Sequence, residues 1–226
     1  MHLTSQLRNT LALAALGCLA CAPGALAQIT INFDVDANGV PINAPANFIS
    51  TTPLRDLYAS LGVHFSGPGL NDGGGAILNQ EAGFGVNARS GTNFLAFNPS
   101  TSYTSGGVVS DPETLTFDTL MSKVSIFASP GGNTIGTFTL QAFDSSNLLV
   151  GTSTVTPDNE TYGQLSITAS DIRKVVLTNT GSEAFVYDDL TFQQGVSSVP
   201  EPGIYALLAT SGLTGAGFLI RKRRRK

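Results

Sequence analysis

The middle of the chain predicts an all-β fold, a β-sandwich of two sheets packed face to face. Three observations carry it. Apolar and polar residues alternate in short runs, turns rich in Gly, Pro, Asn and Asp separate the runs, and only residues 53–60 show helical spacing. Period-two alternation buries one face of a strand and wets the other, so many such runs need a second layer to cover their apolar faces.

The runs come in order. Ile29-Thr30-Ile31-Asn32-Phe33 reads as the first strand. Residues 53–60 place Leu54, Leu57 and Tyr58 on one side of a helical turn, and Val63-His64-Phe65 follows as a strand. Leu115-Thr116-Phe117 and Val124-Ser125-Ile126-Phe127 are two more. The longest alternation is Thr137-Phe138-Thr139-Leu140-Gln141-Ala142-Phe143, and 138–143 with 148–155, joined through the turn Asp144-Ser145-Ser146-Asn147, predicts a hairpin. Leu165-Ser166-Ile167, Val175-Val176-Leu177 and Phe185-Val186-Tyr187 complete the set. Gly67-Pro68-Gly69, 71–75 and 129–133 are turn chemistry; no Lys-Ser or Lys-Thr follows them, as a phosphate loop requires.

Charge excludes a class of partner. The full chain has formal charge −4, but six of its 12 basic residues form the run Arg221-Lys222-Arg223-Arg224-Arg225-Lys226. Between residues 28 and 194 stand five bases and 15 acids, a net charge of 5 − 15 = −10. A domain this acidic repels nucleic acid. Cys18 and Cys21 are the only cysteines and lie in the N-terminal apolar run, so thiol catalysis, disulfides and Cys-held zinc are excluded beyond Ala27.

The two ends read as targeting segments. Residues 1–27 have a basic start at Arg8, an apolar Leu/Ala stretch, the breakers Pro23-Gly24, and small residues at Ala25 and Ala27, the two positions read by signal peptidase. Cleavage after Ala27 leaves Gln28 first. Ala15-Leu16-Gly17-Cys18 departs from a lipoprotein signal, its bulky residue sitting one place too late. At the other end a linker, 195–203, leads to an apolar stretch, 204–220, and the basic run 221–226. The stretch is long enough for a short membrane helix, and the positive-inside rule keeps the basic run in the cytoplasm.

Val199-Pro200-Glu201-Pro202-Gly203, followed by an apolar helix and an Arg-rich end, resembles the PEP-CTERM sorting signal recognised by exosortases of Gram-negative bacteria that make exopolysaccharide. That resemblance implies cleavage near Pro200-Glu201-Pro202 and delivery of 28–194 from the inner membrane to the cell surface or its polysaccharide matrix. The body resembles the jelly-roll β-sandwich of carbohydrate-binding modules. The resemblance rests on Ile31-Asn32-Phe33-Asp34, on Tyr58 to Phe65 and on Tyr187-Asp188-Asp189-Leu190-Thr191-Phe192.

For chemistry, calcium leads. Asp34-Val35-Asp36-Ala37-Asn38-Gly39 has the opening spacing of an oxygen-ligand loop, although Pro45 stands where an EF-hand needs Glu. The jelly-roll resemblance implies a structural calcium joining Asp34 or Asp36 to Asp188 or Asp189. Alternation puts Asp188 and Asp189 on opposite faces, so one of the two is expected to contribute. The competing reading is a plain turn at 36–39 and a solvated edge at 188–189. His64 is the one histidine left after the leader and sits at a polar strand position, with no Gly-x-Ser-x-Gly elbow for a triad. Acids such as Asp72, Asp111, Asp144 and Asp158 stand in turns or strand ends, and Trp is absent, which argues against a glycosidase cleft. Tyr103, Tyr162 and Tyr187, with loops around Asn71 and Asn98, are the candidate sugar contacts.

These readings lead to a non-enzymatic, exported β-sandwich with a structural or adhesive role beside exopolysaccharide. A carbohydrate-binding module with a defined glycan site is the alternative, and a surface glycoside hydrolase the third.

Overall fold

The computed structural model describes residues 27–47, 54–67, 74–96, 112–132, 134–158, 160–182 and 184–195. The leader with Ala25, the Pro200-Glu201-Pro202 motif, the apolar stretch 204–220 and the basic run from Arg221 lie outside the described residues. So do Tyr103, Asn71, Asn98, Asp72 and Asp111. Among the described residues no helix is long and apolar enough to cross a membrane.

The strands are β1 (Gln28–Ile31), β2 (Val63–Ser66), β3 (Ala76–Asn79), β4 (Asn93–Ala96), β5 (Glu113–Pro130), β6 (Thr137–Phe143), β7 (Leu149–Val155), β8 (Gly163–Thr180) and β9 (Phe185–Gln194). The helical turn expected at 53–60 ends in a short 3-10 turn, Ala59–Leu61, capped by Gly62 in the left-handed region. The hairpin forms as read, Phe138 opposite Val155 and Gln141 opposite Thr152. Asp144 closes it, its Oδ1 accepting from the backbone N–H of Ser146 and Leu148 at 2.8 Å each.

The nine strands form one hydrogen-bonded sheet, ordered β3-β4-β9-β5-β8-β6-β7, with β1 beside β9 and β2 beside β5. Two sheets were expected; the reason for one is that β5 and β8 are each 18 residues long and serve both layers. Residues 115–117 and 124–127, which read as separate strands, belong to β5, and 165–167 and 175–177 belong to β8. The start of β5 pairs with β2 and the end of β8; its later part pairs with β9 and the start of β8. Between the halves the register shifts from Thr116 to Met121, and residues 118–120 leave the alternation and are exposed. The paired strands bend there and carry the sheet over onto itself.

Ring contacts prove the fold-over. Phe138 on β6 meets Phe185 and Tyr187 on β9 edge-on, with centroids 6.1 and 5.7 Å apart, although β6 and β9 are not neighbours in the sheet. Phe117, in the first half of β5, and Phe192 on β9 meet at a tilt with centroids 5.3 Å apart, whereas Phe192 pairs in the ladder with Val124 of the second half. The core therefore lies between a first layer (β7, β6, the end of β8, the start of β5, β2) and a second (the start of β8, the end of β5, β9, β4, β3, with β1). Burying each of these fully enclosed aromatics contributes about 1.5–3 kcal/mol.

Candidate functional site

The closing strand and the first loop both reach for one segment, residues 87–93, which leads into β4. Asp188 Oδ2 accepts from the backbone N–H of Arg89 at 2.8 Å and of Ser90 at 3.2 Å. Its Oδ1 accepts from the N–H of Asp189 at 2.7 Å. Asp189 Oδ1 accepts from the Ser90 hydroxyl at 2.6 Å, and its Oδ2 forms an ion pair with the Arg89 guanidinium. That guanidinium also lies 3.5 Å from the centroid of the Phe127 ring. From the other side Asp34 Oδ1 accepts from the N–H of Thr92 at 2.9 Å and of Asn93 at 3.2 Å. Asn93 then donates its amide to the carbonyls of Phe33 at 3.1 Å and Ile42 at 3.0 Å. Tyr162 donates its hydroxyl to the Asn87 carbonyl at 2.9 Å.

The expectation that Asp188 and Asp189 face opposite ways is corrected. Asp189 has φ 48°, in the left-handed region, and the β5–β9 register shifts between Ser125 and Phe127. The extra residue breaks the alternation, so both carboxylates turn to the same segment and both are buried. Burial pushes the Asp188 carboxyl up to about 7; the neighbouring Asp189 charge adds to this, while the amides of Ser90, Asp189 and Arg89 oppose it. Burial also raises the Tyr162 phenol, helped by the charges of Asp188 and Asp189.

Asp36 does not join this group. Its Oδ1 accepts from the N–H of Asn38 at 2.8 Å and of Val40 at 2.9 Å, and those bonds hold its carboxyl below the usual range. Residues 36–39 are thus a turn, as the competing reading had it. A calcium ion needs about six to eight oxygen ligands. The oxygens of Asp188 and Asp189 are occupied by N–H and O–H donors and by a resident cation, Arg89. Asp34 Oδ2 is buried and makes no hydrogen bond, but it faces Gly91, whose place only a glycine can take beside it. Among the described residues no group of three or more His, Cys, Asp or Glu side chains could hold a metal ion. The four acids, as placed, do not fit a calcium site.

His64 points outward, as alternation predicted. Its Nδ1 lies 2.8 Å from Asp56 and its Nε2 3.2 Å from Asp118. The hydrogen bond to Asp56 is the main cause that raises its pKa; partial burial opposes, and Asp118 adds. It links the turn before β2 to the bend in β5. Tyr187 is buried in the core, and Tyr162 is a half-buried packing residue. Sequence reading missed Arg89, Ser90, Thr92 and Asn93. The available signal was that Arg89 is one of five bases among 15 acids and lies in a polar, Gly-containing run.

No protein-family model and no curated protein matches the chain. Solved structures do resemble it. The K2 cleaved adhesin domain of Lys-gingipain has 11% identity over 74% of this chain and 99% of that one, with a TM-score of 0.43. A xylan-binding domain of carbohydrate-binding-module family 22 has 15% identity over 61% of this chain and 90% of that one, with a TM-score of 0.34. A family 11 carbohydrate-binding module of a cellulosomal cellulase of Clostridium thermocellum has 12% identity over 67% and 99%, with a TM-score of 0.31. The likeness is one of all-β layout, and it assigns no ligand, partner or activity to this chain.

Proposed function

We propose that the chain is an exported, non-catalytic β-sandwich that works at the cell surface or in its extracellular matrix, in a structural or adhesive role against polysaccharide. One observation carries the reading. The outer face of the first layer presents hydroxyl and amide side chains, Thr137, Thr139 and Gln141 on β6 among them, and no carboxylate along β6, β7 or the end of β8. In a domain of net charge −10, such a face is available to an uncharged hydroxylated partner. Among the described residues, Asp188 and Asp189 hold residues 87–93, and His64 is held between Asp56 and Asp118. Export by signal peptidase after Ala27 and sorting by an exosortase near Pro200-Glu201-Pro202 complete the proposal, with the inner membrane a transient stop.

A carbohydrate-binding module with one defined glycan site is the second reading. Phe143, on the same face beside Gln141 and with Lys174 Nζ 4.8 Å from its ring centroid, favours it.

The test is co-sedimentation of the purified full-length protein with a panel of polysaccharides, together with assay of reducing-sugar release and mass spectrometry of the mature protein from its native cell. Retention without sugar release, and a mature chain beginning at Gln28, are expected. Failure to bind any polysaccharide, or an intact Met1–Lys226 chain in the cytosol, would overturn the proposal.

A further inference from the structure

Four neighbouring strands carry the same local pattern, Thr-x-Thr: Thr114 and Thr116 on β5, Thr137 and Thr139 on β6, Thr152 and Thr154 on β7, and Thr178 and Thr180 on β8; Thr156 continues the β7 series just past the strand. The pairs on three strands bracket or adjoin core residues, Leu115 and Phe117 on β5, Phe138 and Leu140 on β6, Leu177 on β8, and on β7 Thr154 adjoins Val155, which is partly buried against the core. With period-two geometry the threonines therefore share the outer face of the first layer.

Register turns the pattern into a grid. Thr154, Thr139 and Thr178 stand side by side across three strands. Thr137 stands opposite Thr180, and its hydroxyl lies 2.9 Å from that of Thr156, so these three make the next rank. The hydroxyls of Thr139 and Thr154 are 3.4 Å apart. A further rank runs Thr152, Gln141, Val176, Thr114. Strand geometry spaces the ranks by roughly 6.8 Å and the columns by roughly 4.8 Å. None of these positions is an acid, although the domain holds 15.

The chemistry of the grid narrows its partner. Each hydroxyl both donates and accepts, and β-branching fixes its direction, so little side-chain freedom is lost on contact. The ranks contain no Trp, Tyr or Arg of the kind that anchors a protein interface. An anionic polymer meets a domain of like charge. An uncharged surface bearing regularly spaced hydroxyls is the complement that remains. Resting on the polysaccharide reading above, we propose that this threonine grid is the contact surface and that it takes neutral polysaccharide packed into sheets or fibres, several chains at once. Individual contacts are weak, and their number across a repeating polymer supplies the hold.

The test compares the full-length protein with Thr139→Glu/Thr178→Glu, with Thr139→Val/Thr154→Val/Thr178→Val, and with the control Thr168→Glu on the exposed start of β8. Each is sedimented with microcrystalline cellulose, chitin and insoluble β-1,3-glucan, and with alginate beads. A soluble hexasaccharide of the bound polymer serves as competitor, and melting curves show which variants are folded. The wild type should sediment with a neutral solid. The double Glu variant should lose at least about tenfold in affinity, equivalent to about 1.4 kcal/mol. The triple Val variant, which keeps shape and β-branching, should also weaken, and Thr168→Glu should bind as the wild type does. If the wild type binds none of the polymers, the functional reading falls and this inference with it. If it binds but the folded grid variants bind equally well, the face is wrong and the reading stands. Preference for alginate, or full competition by an equal mass of hexasaccharide, would overturn the ligand class.

Discussion

Replacing Arg89 with Met tests whether the chain carries its own counter-ion at the β9 bulge. The substitution keeps an apolar stem over Phe127 and removes the charge that faces Asp189. Breaking a buried ion pair from one side costs about 3–5 kcal/mol. Here the Arg89 side chain is 38% exposed, against 10% for Asp189, and the Ser90 hydroxyl still serves the stranded carboxylate. Those two facts bring the expected loss to about 2–3 kcal/mol, with about 0.5–1 kcal/mol of it from the lost ring contact. For a domain of this size that is a fall in Tm of about 5–10 °C. Urea denaturation followed by circular dichroism reads the loss. The companion variant, Arg89→Met/Asp189→Asn, removes the uncompensated charge and should recover about 1–2 kcal/mol. A single variant within about 0.5 kcal/mol of the wild type, or a double variant showing the plain sum of both losses, would refute the pairing.

Three further expectations follow from the same geometry. Chelator or millimolar calcium should leave the wild-type Tm unmoved, and a rise with calcium in differential scanning calorimetry would show that divalent ion, not guanidinium, closes the segment. Gly91→Ala should cost about 3 kcal/mol or more in the same urea titration, because Gly91 has φ 58° and a Cβ would strike the Asp34 carboxylate; a neutral result would mean that residues 89–93 move freely. Stability should also fall as pH rises from about 4 to about 8. Asp188 is raised in the fold from 3.8 to about 7, so the folded chain holds a proton the unfolded chain has released; that advantage, at most about 4 kcal/mol, is present at pH 4 and lost by pH 7. His64 is raised above 6.5, so its contribution is complete below 6.5 and lost as pH climbs through the folded value. Asp188→Asn should flatten the first interval and His64→Gln the second; unchanged slopes in thermal melts across the range would remove those assignments.

Much of the fold was legible because alternation is a local signal. The β6–β7 hairpin could be read to within one residue at its strand ends, since Asp144 to Asn147 is turn chemistry between two alternating runs. The outward placement of His64 followed from Val63 and Phe65 on either side of it. The unity of β5 and β8 was not legible: exposed residues 118–120 and 170–171 read as breaks, and only pairing shows them to be bends within continuous strands. β3 and β4 were missed because 76–79 and 93–96 are almost wholly buried and so do not alternate. At the site, Asp34, Asp188 and Asp189 were singled out as metal ligands, and what the structure shows is that their carboxylates all bind the segment 89–93. Their orientation was not accessible, because one left-handed residue, Asp189, reverses the face of everything after it, and no composition rule announces a bulge there. Their partner segment, 87–93, is joined to them only by contacts some 60 to 100 residues apart in sequence.

Gln28 stands opposite Gln193 in the ladder between β1 and β9, and β9 has β5 along its other side. A load applied through residue 195 therefore runs along β9 while two neighbours grip it lengthwise. Their backbone bonds resist in shear and yield together, whereas a strand peeled from its end gives them up one by one. A body hung from that strand would resist drag better than one hung from a strand free to peel.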